Sequence, residues 1–551
     1  MNYQKALCEA MQELALDERV VFLGQGCRDA GTFMSTTLTD VPLEKRIELP
    51  VAEELQMGMS IGMALAGLVP VSIYPRWQFF LLAANQAINH LDKMRPHVIV
   101  RVGVGSTIPL DPGQQHKGDL TEAFRLLMPN TTIVRLENAE QIVPEYRNAI
   151  ERNGPTILVE IADLYQTLRS QTCIKLHEST FGEDEVSAAV SVLRSKRATQ
   201  GPKVKEFEQA FWPHGHAVAC NSGSSANLLA ISALKAIGRL KDGDEVIVSA
   251  LSWSTTVFPL IQHNLIPVIV DCNPDTLNMD MDKARKAISD KTKAIMPVHV
   301  YGNPCDMTAL YNLSSDYGLV VIEDCCESMG AEYDGVPVGV RADVSTFSFF
   351  DSHHITTLEG GMVVTNNDEL ADLLRIQRSH GWLRDSEREV PDGFDRKFCF
   401  VELGYNLRMT DVQAAIGICQ LPKLAPIVYK RRKIFRAYIN ALGHIPYFRF
   451  QKDNGKSSCF GFSIVIDDAP FSVSELRQHL ESRCIETRPI ICGNIAKQPV
   501  MQKYEHRVFG DLSNATDVFL NGFSVGCHQD ITESDVAYVA ECIEWFVKKY
   551  P

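Results

Sequence analysis

A turn of small and hydroxyl-bearing residues comes directly before a predicted apolar helix near the middle of the chain. It reads CNSGSSAN at 220–227 and follows the β-branched run HAVAC at 216–220. The first amides of a helix point outward at the positive end of its dipole, where they bind phosphate groups well. The turn therefore predicts a phosphate site, although a plain helix N-cap would use the same residue types.

Acidic and imidazole side chains follow in the same half of the chain. Glu323 and Asp324 end the predicted buried strand LVVIED at 319–324, and an open α/β sheet binds its ligand at that end of its strands. An aspartate there can keep the nitrogen of a bound pyridine ring protonated. The later segment STFSFFDSHHITTLEGG at 345–361 contains His353 and no lysine. Because imidazole titrates near neutral pH, His353 is a candidate base and acid.

One further candidate, Glu53, lies in the first part of the chain. It separates a predicted strand from a helix rich in small residues, QMGMSIGMALAG at 56–67. A carboxyl group that is shielded from water can keep or share a proton near neutral pH. We expect the shielding to come from the flanking residues Leu49, Pro50, Val51 and Leu55. A solvated acid at a helix start is the alternative interpretation.

Two stretches of alternating strands and helices must position these side chains. Buried parallel strands are predicted at 20–24, 98–105, 131–136 and 156–161, and again at 216–220, 245–250, 267–272, 293–300 and 319–326. A polar segment at 163–171 separates the two stretches. The sequence therefore predicts two α/β domains, 1–171 and 172–551, the second with a large part to about 420 and a small part from about 421.

The composition is typical of a globular protein that stays in water. The chain has 551 residues, 22% of them charged, with a net charge of −14. No apolar run reaches the roughly 18 residues of a membrane-spanning helix, and the absence of a basic block argues against binding to nucleic acid or anionic lipid. The first residues predict an amphipathic helix with Leu7, Ala10, Met11 and Leu14 inside, not a signal peptide, so we expect a cytoplasmic protein. Fifteen cysteines without CxxC spacing indicate reduced thiols.

From about residue 175 to its end, the chain resembles the sugar aminotransferase family of fold-type I pyridoxal-phosphate enzymes. The turn at 220–227, Glu323-Asp324 and the run at 345–361 carry this resemblance by their order and spacing. Shorter matches are SWSTT at 252–256, HGW at 380–382, GYN at 404–406, FGF at 460–462, RPI at 488–490 and VGCHQ at 525–529. The resemblance implies a fold-type I PLP-dependent transferase domain.

In that family a lysine binds the cofactor covalently, and His353 occupies its place here. A decayed aminotransferase is one interpretation. The other is the family's subgroup of nucleotide-sugar 3-dehydratases, which carry histidine at this place, and the surviving motifs favour it. The nearest resemblance is to dehydratases of GDP-4-keto-6-deoxy-D-mannose. Since Cys399 is the only cysteine between His380 and Gly404, the iron–sulfur cluster of CDP-sugar dehydratases is not expected.

The resemblance also implies cofactors, partners and residue roles. It implies pyridoxal and pyridoxamine 5'-phosphate, glutamate as amino donor, a GDP-linked 4-keto-6-deoxy sugar and a homodimer. His353 would act as base and then acid, with a pKa near the working pH. The implied cofactor-binding residues are Gly223, Ser224 and Ser348 at the phosphate, Trp253 and Asp324 at the ring, Glu327 beside them, and Asn406 reaching a neighbour's phosphate.

Residues 46–89 resemble the pyrimidine-binding domain of transketolase-like enzymes, most closely the β subunit of 2-oxoacid dehydrogenases. The resemblance implies that Glu53 binds the aminopyrimidine of thiamin diphosphate, that Trp77 lies against that ring and that His116 faces the substrate. The diphosphate half of such a site carries Gly-Asp-Gly, which this chain lacks. We therefore expect a separate α-like subunit to supply that half and its Mg²⁺.

Three functions remain open at this point. The first is a 3-dehydratase with an active thiamin half-site that adds a carbon branch to the deoxy ketone. The second is a dehydratase whose N-terminal domain only mediates assembly. The third is a nucleotide-sugar aminotransferase that works without the lysine.

Overall fold

The computed structural model of the chain describes residues 3–28, 34–105, 118–167 and 173–550. The chain divides into two compact units, Met1–Thr172 and Cys173–Pro551. Each unit has its own sheet and its own hydrophobic core. Both are of the α/β class, as the alternating patterns predict.

The first unit is built on a six-stranded parallel sheet of order β2-β1-β3-β4-β6-β5. Its strands are β1 (Val20–Gly24), β2 (Arg46–Glu48), β3 (Val69–Tyr74), β4 (Ile99–Val104), β5 (Thr132–Leu136) and β6 (Thr156–Ile161). Its helices are α1 (Tyr3–Ala15), α2 (Glu53–Leu65), α3 (Trp77–Leu82), α4 (Ala84–Gln86), α5 (Asp92–Met94), α6 (Thr121–Leu127) and α7 (Ala139–Glu151).

Helix α1 covers one face of this sheet. Leu7, Ala10, Met11 and Leu14 are buried on it, which confirms the predicted apolar face. Strands β3 and β4 are buried along their whole length. Both faces of a parallel sheet are covered by helices, so such strands consist of nearly continuous apolar residues.

The second unit is built on an eight-stranded sheet of order β19-β9-β8-β10-β11-β14-β15-β7. Its strands are β7 (His216–Cys220), β8 (Glu245–Ser249), β9 (Ile266–Val270), β10 (Thr292–Met296), β11 (Val320–Asp324), β14 (Val344–Ser348), β15 (Gly361–Thr365) and β19 (Arg507–Val508). A short hairpin pairs β12 (Glu332–Tyr333) with β13 (Val336–Pro337). The strands are parallel except at β15, which runs antiparallel to both β14 and β7.

A smaller antiparallel sheet of order β16-β17-β20-β18 follows. It contains β16 (Phe448–Phe450), β17 (Phe462–Ile466), β18 (Thr487–Arg488) and β20 (Gly522–Val525). The helices of the unit are α8 (Glu183–Arg194), α9 (Pro202–Phe211), α10 (Gly223–Ala236), α11 (Ser254–Gln262), α12 (Met281–Ala287), α13 (Met307–Tyr317), α14 (Asp368–Arg378), α15 (Asp411–Gln420), α16 (Leu424–Leu442), α17 (Val473–Glu481), α18 (Ser513–Asn521) and α19 (Glu533–Val547).

The small part is not one continuous segment from about 421 onward, contrary to our expectation. Strand β19 pairs with β9 of the large sheet. Ile495, Met501 and Leu512 pack in the core of that sheet. The buried carboxylate of Asp271 accepts hydrogen bonds from the first amides of α18, at 3.1 Å from Asn514 and 2.8 Å from Ala515. The chain therefore returns to the large sheet before it completes the small one.

One helical run among the described residues, 411–442, is long and apolar enough to cross a membrane by length and composition. It consists of α15 and α16, joined by the 3₁₀ turn Leu421–Lys423 that contains Pro422. Helix α15 packs against α8 and α9, and α16 packs against α19. Each helix therefore buries part of its surface against other helices of the unit.

Candidate active site

A cavity of about 280 Å³ lies at the carboxyl ends of strands β11 and β14. The N-terminal residues of α10 and α11, the loop between β14 and β15, and Arg488 of β18 complete its walls. The residues of the cavity that can bind a ligand or transfer a proton are Gly223, Ser224, Trp253, Asp324, Glu327, Ser348, His353 and Arg488. The structure therefore brings together seven of the residues that the sequence singled out.

The start of α10 forms one end of the cavity. Ser222 caps the helix, and its hydroxyl accepts the Ser225 amide hydrogen at 3.0 Å. A Cβ atom on Gly223 would fall 2.6 Å from the Cβ of Ser348, so the backbone approach requires glycine. Ser224 donates to the Thr255 hydroxyl at 2.9 Å. This cluster of hydroxyls at a helix N-terminus has the character of a phosphate site.

Asp324 is held in one orientation at the end of β11. Its Oδ2 accepts hydrogen bonds from Asn227 Nδ2 at 3.0 Å and from the Thr256 hydroxyl at 2.8 Å. Its Oδ1 accepts the amide of Cys326 at 3.1 Å. The side chain is buried but borders the cavity. A fixed carboxylate of this kind can accept a hydrogen bond from a ring nitrogen.

His353 lies in the loop after β14, where its amide donates to the Phe350 carbonyl at 3.0 Å. Its ring is 5.1 Å from the ring of Phe460, and its Nδ1 has no partner among the described residues. Burial, together with the positive charges of Arg431 and Arg488, lowers the pKa of His353 to about 3. The expectation of a pKa near the working pH is therefore wrong, and the imidazole is neutral at pH 7.

Glu327 and Arg488 line the same cavity as His353. Glu327 accepts the amide hydrogen of Tyr301 at 3.0 Å. Burial raises the pKa of Glu327 to about 7, against the opposing effects of that hydrogen bond and of Arg488. Arg488 is the one Lys or Arg side chain among the described residues that line the cavity.

In the first unit, Glu53 is the first residue of α2 and is buried. Gln25 Nε2 lies 3.4 Å from its Oε1, and the Tyr74 hydroxyl donates to its backbone carbonyl at 3.2 Å. The expected shielding by flanking residues is wrong, because Val51 is 74% exposed and Leu55 is 54% exposed. Glu53 points inward from a helix start whose apolar neighbours face solvent.

Trp77 and His116 do not join Glu53 in a described site. Trp77 is fully buried in an aromatic cluster, stacked on Phe124 at 4.9 Å and edge-on to Phe80 at 5.5 Å. Phe124 covers one face of the indole, and the expectation that Trp77 lies against a cofactor ring stays a prediction. His116 lies outside the described residues.

Comparison with known proteins agrees with this geometry. Residues 179–544 match the DegT/DnrJ/EryC1/StrS aminotransferase family. The chain belongs to this family. Residues 1–167 match the transketolase pyrimidine-binding domain, which extends over nearly all of the first unit.

Relatives within the aminotransferase family include 3-dehydratases. GDP-4-keto-6-deoxy-D-mannose 3-dehydratase of Yersinia pseudotuberculosis is 39% identical over 373 residues, which are 65% of this chain and 95% of the relative. The E. coli GDP-4-keto-6-deoxy-D-mannose 3-dehydratase with bound hydrated PLP is 38% identical, with a TM-score of 0.65 over 67% of this chain and 99% of that one. A GDP-4-keto-6-deoxymannose 3-dehydratase solved with a trapped PLP–glutamate geminal diamine has the same identity, TM-score and coverage.

The cofactor that this aminotransferase family implies fits the residues present. Gly223, Ser224 and Ser348 line the cavity at the start of α10, where helix amides and hydroxyls can bind a phosphate. Trp253, 51% exposed at the cavity wall, can cover a ring, and Asp324 is fixed where a pyridine nitrogen can reach it. Glu327 also lines the cavity, whereas Asn406 is exposed, forms a bridge with Ser379 and is absent from the lining of the cavity.

The sequence predicts no role for Arg488, although the segment RPI at 488–490 matches the family. Its position in the cavity depends on β18 pairing with β20 in the small sheet. The arginine in this matched segment was the only sequence signal for the role. The sequence does not reveal that β18 pairs with β20, which brings Arg488 to the cavity at the end of β11.

Proposed function

We propose that the chain is a PLP- and PMP-dependent 3-dehydratase of a GDP-linked 4-keto-6-deoxy sugar, with glutamate as amino donor. One observation carries the proposal: a neutral histidine, His353, takes the place of the family's lysine in a cavity that otherwise retains the cofactor residues. The relatives named as 3-dehydratases of GDP-4-keto-6-deoxymannose support the choice of substrate.

Gly223, Ser224 and Ser348 would hold the cofactor phosphate, Trp253 would cover the ring and Asp324 would hold the proton on the ring nitrogen. When bound, the cofactor supplies an amine for the C4 ketone of the sugar and a ring that accepts electrons. Without a lysine in the 345–361 loop, the chain has no group there that captures the cofactor aldehyde. This difference favours loss of the C3 hydroxyl over transamination.

His353 performs the proton transfers in this proposal. With the cofactor bound, its neutral imidazole would accept a proton from the carbon beside the ring and would then donate that proton to the leaving C3 hydroxyl, which would depart as water. Phe460 packs at 5.1 Å from the ring and keeps it in place. Arg488 provides a positive charge for an anionic group of a substrate in the same cavity.

The overall reaction balances without an external oxidant. The sugar exchanges its C3 hydroxyl for hydrogen. Glutamate supplies the two electrons for this reduction, becomes 2-oxoglutarate and loses its nitrogen as ammonia. One ammonia and one 2-oxoglutarate are therefore formed for each sugar that is deoxygenated.

Nitrogen balance tests this proposal. Purified chain, PLP, glutamate and GDP-4-keto-6-deoxymannose should release ammonia and 2-oxoglutarate in equal amounts. His353→Asn should release neither at a comparable rate. Formation of 2-oxoglutarate without ammonia would instead indicate an aminotransferase, the function that the family's name favours as the second candidate.

For the first unit we propose half of a thiamin diphosphate site that a separate α-like subunit completes. The match of residues 1–167 to the pyrimidine-binding domain supports it, as does the buried carboxyl of Glu53. Val51 and Leu55 beside Glu53 offer exposed apolar side chains to a partner. The partner would carry the Gly-Asp-Gly segment that this chain lacks, and the Mg²⁺.

Such a pair could couple deoxygenation to carbon–carbon bond formation, because the C4 ketone of the deoxy sugar is an electrophile for a two-carbon carbanion. Isothermal titration with a candidate subunit, thiamin diphosphate and Mg²⁺ tests the assembly. Binding that needs the cofactor supports the half-site. Binding that is independent of the cofactor supports an assembly module, and the absence of binding would contradict the proposed α-like subunit.

We also propose a homodimer in which Asn406 of one subunit reaches the phosphate site of the other. Its exposure and its place outside the lining of its own cavity support this arrangement. Mixed dimers of Asn406→Ala and Ser224→Ala subunits should recover one intact site, measured as retained PLP. A monomer in light scattering would contradict the proposal.

A further inference from the structure

The first residues of the second unit form a strap along its surface, defined here as residues 173–178. Ile174 pairs with Ile485 in a parallel bridge: its amide donates to the Cys484 carbonyl at 2.8 Å and its carbonyl accepts the Glu486 amide at 2.9 Å. The Leu176 amide donates to the Glu486 carboxylate at 3.0 Å. The strap is thus fixed along the segment that leads into β18.

This pairing places two cysteines side by side. In a parallel bridge that aligns 174 with 485, residue 173 lies opposite residue 484. Cys484 ends the turn before the bridge and has a φ of 56°, so the spacing of regular strands does not apply to it. The contact is instead the hydrogen bond from the amide of Ile174, the residue after Cys173, to the Cys484 carbonyl at 2.8 Å. The Cys173 thiol is close enough to contribute, with burial, to a raised pKa of the Cys484 thiol.

Both thiols of the pair have access to solvent, which most cysteines of the chain lack, although Cys8, Cys326, Cys419 and Cys492 are as exposed as Cys484. Cys173 is exposed and Cys484 is partly exposed, whereas nine of the fifteen cysteines are buried. Thiol oxidation requires access to the oxidant. The two partners are therefore adjacent, reachable and reduced in this structure.

We propose that Cys173 and Cys484 form a reversible disulfide under peroxide. The Cys173 thiolate attacks one oxygen of hydrogen peroxide, which yields a sulfenic acid and one water. The Cys484 thiol then attacks that sulfur, a sulfur–sulfur bond forms and a second water leaves. Two thiols lose two electrons and two protons, peroxide accepts both, and a dithiol reductant reverses the step.

The position of this bond gives it a consequence for the dehydratase cavity. Cys484, which pairs with the first residue of the strap, is four residues before Arg488 in the cavity wall. At the other end, His177 lies 3.4 Å from Asp351, which is two residues before His353. A disulfide would fix the strap between these two contacts. We expect slower hydrogen exchange at the Ile174 and Glu486 amides after oxidation.

Peptide mapping of the full-length chain tests the proposal. The chain is treated with hydrogen peroxide, remaining thiols are blocked with N-ethylmaleimide, and the digest is analysed without reduction. We expect one dominant cross-linked pair, with Cys173 and Cys484, that is two hydrogen atoms lighter than the separate peptides and disappears with dithiothreitol. Cys419→Ser, a partly exposed thiol elsewhere in the unit, is the matched control and should retain the cross-link.

Two variants separate the steps. Cys484→Ser should leave Cys173 as a sulfenic acid that dimedone traps, and Cys173→Ser should leave Cys484 available to N-ethylmaleimide after peroxide. Because Cys173 is exposed, its serine variant should retain the melting temperature of the parent. Dominant cross-links between other cysteines, or oxidation of Cys173 while Cys484 stays labelled in the parent chain, would overturn the proposal.

Discussion

His353 and Glu327 face the same cavity with proton affinities shifted in opposite directions. The pKa of His353 is lowered to about 3 and that of Glu327 is raised to about 7. Burial is the largest cause of both shifts, because it disfavours the charged form of each group. Between about pH 3 and pH 7 the cavity therefore contains a neutral base and a neutral acid.

Replacement of His353 by lysine should change the reaction. An amine at this place can bind the cofactor aldehyde covalently, so we expect transamination to appear and dehydration to fall by about 10² to 10⁴. Borohydride reduction followed by mass spectrometry should find the cofactor attached to the variant. Attachment to another lysine, or unchanged dehydration, would contradict the role given to His353.

Glu327 should produce the alkaline limb of the pH profile. Its pKa is raised from the usual 4.5 to about 7, so the protonated form persists to that pH and is lost above it. An ionised Glu327 would add a negative charge to the cavity in which Arg488 provides a positive charge for an anionic substrate group, so we expect kcat/KM to fall as pH rises through about 7. Glu327→Gln, which cannot ionise, should lose that limb. His353 should contribute no acid limb above about pH 3. If the parent chain and Glu327→Gln show the same alkaline limb, a group other than Glu327 produces it.

At the scale of elements, α10 and β14 approach so closely at the phosphate site that residue 223 has no space for a side chain. A methyl group at residue 223 would lie 2.6 Å from the Ser348 Cβ, which forces the two elements apart. We expect Gly223→Ala to weaken PLP binding at least about tenfold, which is about 1.4 kcal/mol. Fluorescence titration measures the change.

Gly154→Ala is the matched control for this prediction, because a Cβ there would meet nothing within 4 Å. It should bind PLP as the parent chain does. If Gly223→Ala also binds PLP with unchanged affinity, the phosphate does not lie at the start of α10.

Several β-branched runs could be predicted as strands, although β3 (Val69–Tyr74) is absent from the predicted set. Elements defined by long-range pairing could not be predicted. The predicted strands 20–24 and 216–220 match β1 and β7 residue by residue. Strand β15 went unassigned, because its antiparallel partners are set by the fold of the large sheet and not by local pattern. Strand β19 was missed because two residues give no periodicity.

The same distinction holds for the site. The motif around residue 353 identified the histidine, but its lowered pKa depends on Arg431 and Arg488, which the fold brings near from distant parts of the chain. Likewise Glu53 was found from its position before a small-residue helix, while its supposed apolar shield proved exposed. Type and order of residues are local properties, whereas burial and charge environment are not.

At the scale of the whole molecule, two units with separate cores are joined in one chain. Because Glu53 belongs to the first unit and His353 to the second, we expect Glu53→Gln to leave sugar deoxygenation at the parent rate. In the presence of the α-like subunit, the same change should abolish carbon–carbon bond formation, measured as incorporation of labelled acyl carbon into the sugar. Unchanged incorporation would leave the first unit as an assembly module.

The mass of the sugar product tests the central claim most directly. The purified chain is mixed with PLP, glutamate and GDP-4-keto-6-deoxymannose without any partner, and the sugar nucleotide is analysed by mass spectrometry. The account predicts a product that has lost one oxygen atom and retains its carbonyl group. A product in which the carbonyl oxygen has been exchanged for an amine would contradict it and would make the chain an aminotransferase.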